Sequence, residues 1–159
     1  MQPLVAQLDS MDESMWSLLQ KNLAGITEAE ADWRPHPAAN CVRWILGHLA
    51  WFEEWAHDAL ARDGRYLTDA APTAYLEGSV PALLECFTAG RARYRARLIT
   101  RTDSDLARTL SYFGKYDVTE LGLLQTHALH LAGHCFQIRY VRGAFSRAHG
   151  TAKSDFDPW

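Results

Sequence analysis

Cysteine is scarce in this chain: 159 residues hold three, Cys41, Cys86 and Cys135, with no CxxC arrangement. An odd number so spaced argues against a disulfide framework and for reduced thiols, hence a cytoplasmic setting. No apolar run approaches the roughly 20 residues of a transmembrane helix, and the N-terminus lacks the basic-then-apolar pattern of a signal peptide. Neither sign of charge dominates, since Lys and Arg number 16 against 19 Asp and Glu, a net −3. Without a basic surplus the chain lacks the electrostatic footprint of a nucleic-acid binder. Arg91, Arg93, Arg95, Arg97 and Arg101 form one local cluster, but in a helix they spread around the axis and read as a solvated surface. Also missing are a nucleophile elbow, a phosphate-cradling glycine loop and a dinucleotide fingerprint. Membranes and nucleic acid are set aside as partners.

What is present is helical periodicity. Length and a 48% hydrophobic fraction fit one globular domain over 1–159, with glycines and prolines mostly between periodic segments. Residues 3–24 carry Leu4, Leu8, Met11, Met15, Leu18 and Asn22 at alternating steps of four and three, a bundle-helix stripe closed by Gly25. Thr27 with Glu30 resembles a capping box, and 33–40 is a Pro-punctuated loop whose Asn40 is placed as an N-cap. A second long helix runs from Cys41 to Arg62, its inward stripe being Cys41, Ile45, His48, Phe52, Trp55 and Ala59. Glu53, Glu54, His57 and Asp58 point elsewhere on that reading. After a loop over 62–79, Ser79 caps a third helix, 80–101, with Pro81 in its first turn and Leu83, Phe87, Tyr94 and Leu98 inward. The connection 102–118 is extended or hairpin-like around Gly114. A fourth helix starts at Asp117 or Thr119 and ends at Gly143, leaving 144–159 as a polar tail whose Phe156 and Trp159 are placed to dock on the bundle.

The fourth helix carries the chemistry. In His127-Ala-Leu-His130-Leu-Ala-Gly-His134, three imidazoles share the apolar face with Leu124, Leu131 and Ile138, at about 100° per residue. A buried ring needs a partner. His130 and His134, spaced i, i+4, can present two nitrogens to one metal ion, and His48 on the second helix can supply a third. Periodicity alone leaves open a pair of His127 with His130 or with His134, so His127 is either an alternative ligand or a hydrogen-bonded core histidine. Cys135 lies a further 100° round the helix from His134, and Cys41 about 10 Å along the axis from His48, so neither thiol completes a closed site. Trp44, Trp51 and Trp55 lie within about 60° of His48 and, with Phe52, form a candidate apolar pocket wall. No inward carboxylate base is evident.

Asn40-Cys-Val-Arg-Trp-Ile-Leu-Gly-His48, preceded by Trp33-Arg-Pro, and His130-x-x-x-His134-x-x-Gln137-Ile138 resemble the two characteristic segments of the DinB/YfiT-like superfamily. The likeness spans nearly the whole chain, although only these two segments are specific. It implies an all-α four-helix bundle, commonly a homodimer, with long loops between helices 2 and 3 and between 3 and 4. It also implies a divalent metal, zinc or nickel, held by His48, His130 and His134, with Gln137 beside the ligands. Phe136 stands where the family often has Gly. Characterised members transfer bacillithiol or mycothiol to electrophiles or isomerise maleylpyruvate. The resemblance thus implies a metal-dependent enzyme joining a low-molecular-weight thiol to a small electrophile. A metal-dependent hydrolase and a non-enzymatic metal-stabilised bundle or sensor are the alternatives.

Overall fold

The computed structural model describes residues 2–61, 77–112 and 115–151. Their order is α1 (Pro3–Leu23), α2 (Glu28–Asp32), α3 (Val42–Ala61), α4 (Val80–Leu98), α5 (Asp103–Leu106), β1 (Thr109–Tyr112), β2 (Tyr116–Thr119) and α6 (Glu120–Ala148). The long helices α1, α3, α4 and α6 form a four-helix bundle in which α3 packs on α4 and α6, and α1 on α6. None of the described helices is long and apolar enough to cross a membrane.

Local chemistry sets most of the boundaries. Gly25 at φ 66° follows the last turn of α1, a conformation glycine adopts without a Cβ penalty. The side chains of Thr27, Ser79, Thr102 and Thr119 each accept a hydrogen bond from a backbone N–H in the first turn of α2, α4, α5 and α6. Pro81 occupies the first turn of α4, where its missing N–H costs nothing. The stretch expected to be extended or hairpin-like is an antiparallel pair, Leu110 opposite Val118 and Tyr112 opposite Tyr116, preceded by the one-turn α5. Gly114 lies outside the described residues, as do most of the 62–79 loop and the tail aromatics Phe156 and Trp159.

Three expectations are corrected. The fourth helix does not stop at Gly143 but continues to Ala148. Gly143 lacks the positive φ of a helix terminator, so the ladder continues through it. On α1 the buried positions are Val5, Leu8, Asp12, Leu19 and Leu23, whereas Leu4 and Met11 are exposed. The helix is rotated by about one residue from the expected stripe, which brings Asp12 to the inside. Nor is the α4 arginine cluster simply solvated. Arg91 is buried on Asp12 at 2.5 Å, Arg95 reaches Asp9 at 2.5 Å, and Arg93 and Arg101 pair with Glu54 and Glu120.

The core falls into two apolar clusters. One gathers Leu19, Ile45, Leu46, Phe87, Leu131 and Ile138, and the other Val5, Trp55, Tyr94, Leu98, Leu123 and Leu124. Between them lie four buried polar residues, one on each long helix, Asp12, Glu53, Arg91 and His127; α6 buries a further one, Glu120, in its first turn.

Candidate metal centre

His48 reaches the bundle interior from the middle of α3, one turn after Trp44 and one before Phe52. His130 and His134 lie on successive turns of α6, where Leu131, Cys135 and Ile138 anchor the inward face. The imidazoles converge through like atoms: Nε2 of His130 lies 2.8 Å from Nε2 of His48 and 3.1 Å from Nε2 of His134. All three histidines are half-buried. Cys135 is not among them. Its thiol donates to the Met15 carbonyl, and burial pushes its pKa up to about 12.

Protons alone do not satisfy this arrangement. Gln137 Oε1 is an acceptor, so His134 must donate through Nδ1, at 2.9 Å, which leaves the Nε2 lone pair facing the other rings. One proton on His130 Nε2 can serve only one of its two neighbours. Burial, then repulsion from His134, lowers the His48 pKa to about 4; burial, then His134, His48 and His127, lowers that of His130 to about 3. Burial also lowers the His134 pKa, opposed by its bond to Gln137. The rings are therefore neutral at physiological pH, as metal ligands must be. The donor set suits a divalent ion with nitrogen preference, and His48, His130 and His134 are the residues that would hold it.

Aromatic rings wall the centre on the α3 side. Trp44 stacks on His48 with centroids 5.1 Å apart and planes 12° from parallel, and Trp51 lies 5.7 Å from the same ring. Phe52 is 3.9 Å from the His130 ring. Trp55 lies deeper, stacked on Phe52 and edge-on to Tyr112, and is 1% exposed. Phe136, at the position where glycine is frequent, is exposed and turned out of the bundle.

His127 does not join the three. Its Nε2 lies 3.0 Å from Oε2 of Glu53, and both side chains are fully buried. The expectation that Glu53 points elsewhere is thus corrected, as is the absence of an inward carboxylate. Helix α3 is buried over most of its circumference, including Leu46, Leu49, Ala50 and Ala56, so a single-stripe reading misassigns Glu53. The available signal was the apolar character of α3 on every side, which leaves little room for a solvated face. The burial of Asp12 depends on the rotation of α1, which no local pattern sets.

With the geometry established, comparison with known proteins identifies the family. The chain matches the model of the DinB superfamily over residues 11–138, and it belongs to that superfamily. Its fold is similar to that of a conserved protein from Enterococcus faecalis, with TM-score 0.73 and 17% identity over 91% of this chain and 98% of that one. It is also similar to YfiT from Bacillus subtilis, described as a probable metal-dependent hydrolase with an unusual four-helix bundle topology. That likeness has TM-score 0.76 and 17% identity over 93% of this chain and 89% of YfiT. No curated protein matches this chain.

Proposed function

We propose that His48, His130 and His134 hold one divalent ion, zinc or nickel, and that the protein transfers a low-molecular-weight thiol to a small electrophile. The observation that carries this reading is the convergence of three neutral, half-buried imidazoles on a common point with no fourth protein ligand among the described residues. A closed structural site normally has four protein ligands, whereas a catalytic one keeps a position open. When bound, the ion supplies Lewis acidity that lowers the pKa of a thiol or water molecule beside it.

The chain's own residues define the rest. Gln137 fixes the His134 tautomer, and Trp44 and Phe52 hold the His48 and His130 rings from the side. The indole and phenyl faces of Trp44, Trp51 and Phe52 give an apolar electrophile a surface to lie on and exclude bulk water. In the transfer itself the thiol loses its proton to solvent. Its sulfur forms a bond to the electrophilic carbon, and the displaced group leaves with its bonding pair. A thiol is acidic enough to react without a strong base, which suits a site whose nearest buried carboxylate, Glu53, is engaged by His127. The similarity to YfiT supports a second reading, hydrolysis, with water as the nucleophile.

Metal-loaded protein mixed with a chromogenic electrophile and, in turn, cysteine, glutathione, bacillithiol and mycothiol tests this. Thiol-dependent consumption that His130→Ala abolishes is the expected result. Turnover of an activated ester without thiol selects hydrolysis instead, and inertness toward all four thiols removes the transferase reading.

A further inference from the structure

Four charged or ionisable side chains are buried between the two apolar clusters, one from each long helix. Asp12 comes from α1, Glu53 from α3, Arg91 from α4 and His127 from α6, each at most 8% exposed. Burying such groups is costly even when they are paired, and their replacement by apolar residues often leaves a fold unharmed or improved. Their placement asks for an explanation beyond stability. The layer adjoins the histidine centre on both helices that build it: Glu53 follows His48 by five residues on α3, and His127 precedes His130 by three on α6.

We infer that Glu53 and His127 are positioning residues for the metal centre, setting the approach of α3 to α6 and the orientation of the His130 ring. Two sets of contacts carry this. The first is the direct bridge, in which His127 Nε2–H donates to Glu53 Oε2 at 3.0 Å across the interface where His48 and His130 meet. Glu53 has no freedom behind it, because α4 approaches so closely that a Cβ on Gly90 would stand 2.9 Å from the Glu53 Cβ. The second is a stack of rings. His127 stacks on Tyr94, 3.9 Å away and 20° from parallel, and on Phe52, 5.7 Å away and 23° from parallel. Phe52 in turn lies 3.9 Å from His130. Close packing transmits a displacement of His127 through Phe52 to a ligand ring.

The Asp12–Arg91 pair completes the layer and keeps its charges balanced. Arg91 donates to Asp12 Oδ2 at 2.5 Å and to Glu13 at 3.0 Å, which anchors α4 to α1. The layer is therefore not read as a second metal site, since a guanidinium already occupies one of its carboxylates. Ligand geometry is sensitive to such supporting contacts, whose loss typically costs about 10- to 100-fold in metal affinity.

This inference rests on the metal reading, and the experiment separates the two. Cobalt(II) titrations of the full chain, followed by ligand-field absorption and competition with a chelator, give both affinity and geometry. Wild type binds one equivalent; no binding by wild type overturns the metal centre itself. Glu53→Ala binds cobalt at least 10-fold more weakly with an altered spectrum, and Glu53→Gln, which keeps an oxygen acceptor, recovers part of both. Should Glu53→Ala fail to fold, Tyr94→Leu decides, because it leaves the ion pair and the Phe52–His130 contact intact and removes the ring on which His127 stacks; it weakens binding and shifts the spectrum too. Glu30→Gln breaks a comparable pair with Arg142, remote from the histidines, and leaves affinity and spectrum unchanged. Wild-type affinity and spectrum in folded Glu53→Ala, or in Tyr94→Leu where the former does not fold, overturns the positioning role alone.

Discussion

His134 donates through Nδ1 to Oε1 of Gln137 at 2.9 Å, three residues along the same helix. That contact determines which nitrogen of His134 faces the other two imidazoles. Gln137→Ala removes the acceptor and frees the ring to turn or change tautomer. The expected outcome is a metal affinity about 10- to 100-fold lower in a folded protein, measured by chelator competition. Gln137→Glu, which retains an acceptor, keeps most of the affinity. Equal affinity in wild type and Gln137→Ala contradicts this role.

The ligands themselves give a sharper response. His48→Ala, His130→Ala and His134→Ala each lose stoichiometric metal while circular dichroism stays helical, because the apolar clusters remain. A variant that keeps one equivalent by elemental analysis removes that histidine from the set.

Stability without metal depends on pH with a definite sign. Folded His48 and His130 take up protons only near pH 4 and 3, while the unfolded chain does so near 6.5. Between 6.5 and those values the unfolded state binds more protons, so stability falls as the solution is acidified. His127, whose pKa burial lowers but Glu53 and then Asp12 raise, with a net upward shift, acts in another window. Its contribution is complete below 6.5 and is lost as pH rises through its folded value. Thermal melts of metal-free protein therefore show Tm falling from pH 6.5 to 5, with a shallower fall in His48→Asn/His130→Asn. A flat profile over that interval contradicts the assignment of neutral rings.

Gly90 is a packing constraint. A methyl group there meets the Glu53 Cβ at 2.9 Å, and neither helix can yield without disturbing the other. Gly90→Ala lowers stability by about 1–3 kcal/mol in denaturant unfolding, despite alanine's better helix propensity. Unchanged or higher stability means α3 and α4 are free to separate.

The buried Arg91–Asp12 pair responds asymmetrically. Arg91→Met strands an uncompensated carboxylate and costs about 3–5 kcal/mol, whereas the double variant Arg91→Met/Asp12→Leu recovers most of it. Chemical denaturation of the three proteins measures this, and a single-variant cost no greater than that of the double one contradicts it.

Much of this was legible in the sequence, for physical reasons. His48, His130 and His134 stood out because imidazoles at core positions of helical stripes need a common partner. The caps at Thr27, Ser79 and Thr119 were readable because each is a local hydrogen bond, set by residues three apart. The polar layer was not. Asp12, Glu53 and Arg91 are charged residues whose burial depends on partners 74 to 79 positions away, and no local pattern announces such a pair. Helix α1 illustrates the limit: rotation by one residue exposes Met11 and buries Asp12, and only packing against the other helices decides between the two. The end of α6 is not legible at Gly143, because that residue stands at a helical φ and glycine weakens a helix without obliging it to stop.

The central claim is that three imidazoles hold one ion and leave part of its coordination sphere uncovered. X-ray absorption spectroscopy of protein loaded with one equivalent of zinc tests it most directly. The account predicts three histidine nitrogens at about 2.0–2.1 Å plus a ligand exchangeable for added thiol, seen as a new zinc–sulfur distance near 2.3 Å. A sphere filled by four protein ligands that added thiol leaves unchanged, or zinc bound without histidine nitrogens, contradicts it.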